Sequence, residues 1–153
     1  MVSKLVVFCV LTQTIQPLAI LHSLTLATVL VTSTPLGNEN IQSFQFNAFS
    51  ENTHVIWNTE KQAVIIDPGM SNRLEESEFL SWLKAEELTV VDIWLTHCHI
   101  DHIMGLDFCF REFGLKGIAH ALDQANIERS ELVAGMYGIP YTAGPEPEYI
   151  LEE

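Results

Sequence analysis

The chain is poor in positive charge. Of its 153 residues, 7 are Lys or Arg and 20 are Asp or Glu, for a formal net charge of −13 at pH 7. No run of Lys or Arg occurs, and a phosphate-backbone binder needs such a patch, so nucleic acid is not an expected partner. Cysteine is sparse as well: 3 residues cannot all pair and sit in unrelated surroundings, which argues against a disulfide framework. Charged residues make up only 18% and hydrophobic ones 48%, a balance that supports a packed core rather than general disorder. No internal repeat, collagen-like period or coiled-coil heptad is present. The length predicts one domain, since domains usually run to about 100–200 residues.

Charge is also missing from one particular place. Before Ile41 the charged residues are Lys4 and Glu39, so the remainder carries the whole net charge. Leu5 to Asn38 has no charged side chain and is rich in Leu, Val, Ile and Thr. Three readings of this leader are open. One is a secretory signal, with Lys4 as a weak basic region and Leu5 to Leu11 as the apolar run, although Thr12, Gln13, Thr14 and Gln16 follow early. Another is a membrane anchor over residues 5–31, long enough against the ~20 residues a bilayer needs, but interrupted by Gln13, Gln16, Pro17 and His22. The third is a non-native or upstream extension, or an extra packed element. A non-native leader implies a cytoplasmic protein; a signal or anchor implies export or membrane contact. Thr32 to Asn38 contains Pro35 and Gly37 and reads as a linker, so residues 1–38 are set apart from 41–153.

From Ile41 the pattern becomes regular. Phe44 and Phe46 alternate with polar residues and predict a first strand. Thr53–Trp57 and Ala63–Ile66 flank the polar Asn58-Thr59-Glu60-Lys61, which predicts a hairpin. Asp67-Pro68-Gly69 ends the second arm, because Pro donates nothing to a ladder and Gly permits a tight turn. Asn72 with Glu75 fits a capping box, opening a helix whose apolar side is Leu74, Phe79, Leu80, Trp82 and Leu83 and which ends near Glu87. Thr89–Leu95 is apolar except for Asp92 and predicts a buried central strand. Residues 102–113 read as helix with Gly114 as its stop, 117–120 as a short strand, and 123 to about 134 as helix. The Gly- and Pro-rich tail from Gly135 reads as loop. Strands mixed with helices predict an α/β fold.

The chemistry is concentrated in Thr96-His97-Cys98-His99-Ile100-Asp101-His102. On an extended backbone alternate side chains share a face, so His97, His99 and Asp101 can converge. His102 breaks that period and requires a turn, after which Asp101 and His102 can address a second centre. Imidazole nitrogen with carboxylate oxygen suits zinc, and iron or manganese less selectively. Two such ions about 3.5–4 Å apart can share one hydroxide, a nucleophile near neutral pH.

The run Thr96-His97-x-His99-x-Asp101-His102-x-x-Gly105 resembles the metal-binding signature of the metallo-β-lactamase superfamily. Phe46 to Thr53 and Val64 to Gly69 are similar to the opening hairpin of its hydroxyacylglutathione-hydrolase-like members. The resemblance implies an αββα sandwich with a dinuclear zinc site along one edge. It implies His97 and His99 as ligands of the first metal, and Asp101 and His102 as ligands of the second, with Asp101 also catalytic. Asp67 matches the family's first motif, which supports the site without normally supplying a ligand. The implied function is zinc-dependent hydrolysis by a metal-bound hydroxide, on a small-molecule ester or thioester.

The family also carries a third His, a bridging Asp and a last His well downstream of this signature. Here the later His is His120, at a predicted strand end, and neither Asp107 nor Asp123 fits the bridge. The resemblance therefore implies a domain truncated to its first half, with an incomplete ligand set. The alternative to the hydrolase is a non-catalytic half-domain that binds metal weakly. The other notable residues read as structure. Cys98 points away from its flanking histidines, with a redox-sensitive thiol as its alternative. Phe108, Cys109, Phe110 and Phe113 read as helix packing, and Met104 and Met136 as core fillers.

Overall fold

The computed structural model describes residues 40–150. The predicted leader, its linker and any membrane contact through residues 5–31 lie outside the described residues. Among the described residues no helix is long and apolar enough to cross a membrane.

Six strands form one mixed sheet in sequence order: β1 (Asn40–Phe46), β2 (Glu51–Trp57), β3 (Gln62–Ile66), β4 (Thr89–Trp94), β5 (Gly117–His120) and β6 (Glu148–Ile150). The predicted hairpin is β2–β3, and β1 adds to it antiparallel, with Phe44 opposite Thr53 and Phe46 opposite Glu51. From β3 onward every pairing is parallel. Each parallel step needs a crossover, and helices supply them. These are α1 (Arg73–Ala85), α2 (Ile100–Ile103) with α3 (Leu106–Phe113), and α4 (Gln124–Tyr137) after a 3-10 turn at Ala121–Asp123.

Residues opposite one another in an antiparallel pair share a face, so Phe44, Phe46, Glu51 and Thr53 look the same way. On that side Phe44 meets Phe79 and Trp82 of α1 edge-on at 5.2 and 4.9 Å, and Phe79 meets Phe108 of α3 at 6.4 Å. This aromatic seam joins both helices to the sheet. Burying it supplies roughly 1.5–3 kcal/mol per side chain.

Several expectations need correction. Leu74 is 77% exposed, because five residues from Phe79 at 100° per residue turns it off the apolar face. Asn72 does cap α1, accepting from the Leu74 and Glu75 amides, but Glu75 reaches past it to the Ser71 amide and hydroxyl. β4 is central in the sheet, yet Val91 is 39% exposed, since a register shift against Ala63–Val64 leaves Val91 unpaired and re-phases the strand. The helix expected over 102–113 is two helices, split at Met104–Gly105. The Gly105 amide donates to the Pro68 carbonyl at 2.8 Å, and a Cβ there would lie 2.9 Å from that oxygen. Gly105 lets the chain back onto the β3 turn. Gly114 does end α3, in the left-handed region at φ 70°.

The tail departs most from its reading as loop. α4 runs through Gly135 to Tyr137 and stops at Gly138, φ 67°. Glu148–Ile150 then forms β6, a strand too short to signal itself in sequence and made by pairing with the open edge of β5. Met136 is 78% exposed, two residues and so 200° from the buried Ala134, and it fills no core gap. Phe110 is exposed as well, whereas Phe108 and Cys109 pack inward as expected.

Candidate metal centre

Parallel strands end at one edge, and that edge gathers the chemistry. β3, β4 and β5 run side by side, with Ile66 paired to Trp94 and Trp94 to Ile118. The segments that leave their carboxyl ends, at Asp67, at Thr96–His102 and at Ala121–Asp123, therefore meet. Open α/β sheets bind ligands at this end.

Asp67 organises the edge. It is buried at φ 51°, a left-handed conformation that is rare and strained for a residue with a Cβ. Its amide donates to the Trp94 carbonyl. Its Oδ1 accepts the Thr96 amide at 2.7 Å and its Oδ2 the Thr96 hydroxyl. That hydroxyl has a single proton, already directed to Asp67, so its 3.0 Å contact with His97 Nδ1 needs the imidazole as donor. The lone pair of His97 is then on Nε2. Asp67 Oδ2 also lies 3.1 Å from His102 Nδ1 and draws the proton of that ring to the same side.

The donor atoms of Asp67, His97 and His102 all lie within 4.8 Å of one another. The His97 ring stands 4.1 Å from the His102 ring and 4.5 Å from the His99 ring, centre to centre. Burial, and then the neighbouring His102 and His99, lower the pKa of His97 and favour its neutral, ligating form. Burial pulls His102 down, but the Asp67 carboxylate 3.1 Å from its Nδ1, with the charges of Asp101 and Glu51, outweighs it and raises the pKa overall. Three imidazoles crowded together beside carboxylates form a donor set that fits a divalent cation.

His97 and His102 are thus brought together. His99 caps α2 from the exposed rim, and Asp101, the second residue of that helix, has Oδ2 at 3.5 Å from His102 Nε2. The extended alternation expected for His97, His99 and Asp101 holds only as far as His99, after which the chain turns into α2 and Asp101 approaches from a helix. Cys98 points inward as expected, and burial pushes its thiol up to about 12, which makes it a poor redox centre. His120 caps the start of the 3-10 turn, with Nδ1 accepting the Leu122 amide. Asp123 accepts the Cys98 amide at 3.1 Å and so supports the loop, while Asp107 pairs with Arg111.

Three supporting residues carried little signal in sequence. Asn47 bridges the loops: its Nδ2 donates to the Gly69 and Asp101 carbonyls at 2.9 and 3.0 Å. The Thr53 hydroxyl sits between Glu51 Oε2, the Asp67 carbonyl and the Gly69 amide, all within 2.9 Å. Glu51 is a buried carboxylate beneath His102, and burial pushes its pKa up to about 8. Strand alternation places Glu51, Thr53 and Val55 on one face, and a Glu on an inward face was the one available signal.

Comparison with known proteins bears on the family and the fold. The profile of the metallo-beta-lactamase superfamily matches residues 47–150. Hydroxyacylglutathione hydrolase GloC of Haemophilus influenzae is 32% identical over 77 residues, 50% of this chain and 34% of that protein. A hydroxyacylglutathione hydrolase of Vibrio campbellii is 37% identical over 67 residues, 43% of this chain and 25% of that protein. The chain thus spans about a third or less of these relatives. Among solved structures, the BLEG-1 B3 metallo-beta-lactamase aligns with TM-score 0.63 and 28% identity, covering 74% of this chain and 54% of that one. TTHA1623 in a di-iron-bound form aligns with TM-score 0.62 and 28% identity, covering 73% and 54%. Signature, sheet order and profile agree, and the chain belongs to the metallo-β-lactamase superfamily.

Proposed function

We propose that this chain carries a metal-dependent hydrolase centre, with His97 and His99 holding a first ion and Asp101 and His102 a second. One observation carries the reading: at the carboxyl edge of the parallel strands the His97 ring stands 4.1 Å from the His102 ring and 4.5 Å from the His99 ring. Asp67 is a positioning group in this scheme, because both of its oxygens are engaged by Thr96 and His102. It commits the Nδ1 protons of both histidines inward and leaves their Nε2 atoms for a ligand. Zinc suits this nitrogen and carboxylate set. When bound, such an ion supplies Lewis acidity to a scissile carbonyl and to water. Asp101, on the rim beside His102 Nε2, is available to orient a water or accept a proton. An ester or thioester substrate is favoured by likeness to hydrolases of hydroxyacylglutathione.

The test is elemental analysis after mild dialysis, followed by zinc-supplemented hydrolysis of a thioester panel. We expect substoichiometric zinc and weak turnover, because each site has only two of the usual three or more protein ligands from this signature. Both should disappear in His97→Ala. Failure of the chain to take up zinc, iron or manganese would overturn the reading. Two tightly retained ions would show that further residues of this chain are ligands.

A further inference from the structure

Glu51 has no part in the function proposed above, yet its placement is costly. Its side chain is fully buried, at 0% exposure, at the first position of β2. Removing a carboxyl group from water without full hydrogen bonding is unfavourable, most of all in the charged form. Oε2 is held by Thr53 at 2.9 Å and pressed against Gly69, where a Cβ would come within 1.9 Å of it. The acid is thus clamped on one side and its other oxygen is aimed. Among the described residues Oε1 has no hydrogen-bond partner and His102 Nδ1 has none in hydrogen-bonding alignment, and these two buried atoms face each other across 3.8 Å. Oε1 can accept and Nδ1 can carry the ring proton, so a small rotation of the imidazole would satisfy both. Asp67 Oδ2 lies on the same side of the ring, 3.1 Å from the same nitrogen.

We propose that Glu51 is a positioning residue for His102: its buried Oε1 is a second acceptor that, with Asp67, holds the Nδ1 side of the ring inward and presents Nε2 at the site. Two acceptors on either side of one N–H restrict both the tautomer and the rotation of the ring, whereas one restricts mainly the tautomer. Gly69 belongs to the same device, since a larger residue there would displace the carboxyl group. The inference rests on His102 acting as a ligand, as proposed above.

The test is nitrogen-15 NMR of the imidazole rings in the metal-free 153-residue chain at alkaline pH, with zinc titration run in parallel. The wild type should show His102 as the Nδ1–H tautomer. Glu51→Leu, similar in size but without an oxygen, leaves Asp67 to set the tautomer but frees the ring to rotate, and so should broaden the His102 ring signals and weaken zinc binding by about 10-fold or more. Glu51→Gln keeps a carbonyl oxygen at the same place and should restore both. An Nε2–H tautomer in the wild type would overturn the proposal, as would unchanged His102 line widths and zinc affinity in Glu51→Leu. Should Glu51→Leu fail to fold, Gly69→Ala, whose Cβ would displace the Glu51 carboxyl group, takes its place with the same readouts. A wild type that keeps the Nδ1–H tautomer but takes up no metal would instead overturn the hydrolase reading and leave the role of Glu51 standing.

Discussion

The floor and the rim of the candidate metal centre are built on different principles. The floor is Glu51, Asp67 and Thr53, buried at strand ends and joined by hydrogen bonds at 2.8–2.9 Å around the Thr53 hydroxyl. The rim is His99 and Asp101, on a loop and a four-residue helix, with more open side chains. Floor groups are held by the fold and hold it in turn, whereas rim groups are displayed by it. Removing a floor group should therefore cost stability and function together, and removing a rim group should cost function alone.

Asp67→Ala is the severest way to break the floor. It strands the Thr96 amide and hydroxyl, frees both histidine rings and leaves a Cβ at φ 51° without compensation. A loss of about 3 kcal/mol is expected, read as a lower urea midpoint at constant slope. An unchanged midpoint would mean that the strand ends are held by the sheet alone.

The pH dependence of the metal-free protein is a milder probe of the same floor. Burial raises the pKa of Glu51 from 4.5 to about 8, so the folded state binds that proton more tightly than the unfolded chain. The stabilisation is fully present below pH 4.5 and is lost as pH rises towards 8. His102, also raised, acts in the same direction. Denaturation midpoints measured in chelator should fall across this window, and Glu51→Gln should flatten the slope.

The rim should show the smallest effect on stability. His99 is exposed and makes no capping hydrogen bond, so His99→Ala should leave the unfolding free energy within about 0.5 kcal/mol while metal uptake falls. A large loss of stability would place His99 in the floor. The thiols sharpen the contrast from the other side. Cys98 lies between two site histidines but faces the core, and burial holds its thiol near 12. It should resist alkylation at pH 8 until the protein is denatured, as followed by peptide mass mapping. Rapid labelling would show that the loop opens.

The sequence alone determined what depends on local chemistry. Period-2 alternation marked β1, the β-branched and aromatic run Thr53–Trp57 marked β2, the polar Asn58–Lys61 segment marked its hairpin to β3, and Asn72, Gly114 and the run His97–His102 marked a cap, a stop and a donor set. Each of those signals is complete within a few residues, because backbone geometry and side-chain type suffice to produce it. Tertiary structure decided the rest. Glu148–Ile150 became a strand only because β5 had an edge to offer, and Gly105 broke a helix only because Pro68 stands behind it. The floor of the site belongs to the same class. Glu51, Asp67 and His102 are far apart in sequence, and neither the burial of the first two nor their approach to one imidazole nitrogen exists until parallel strands bring their ends to a single edge.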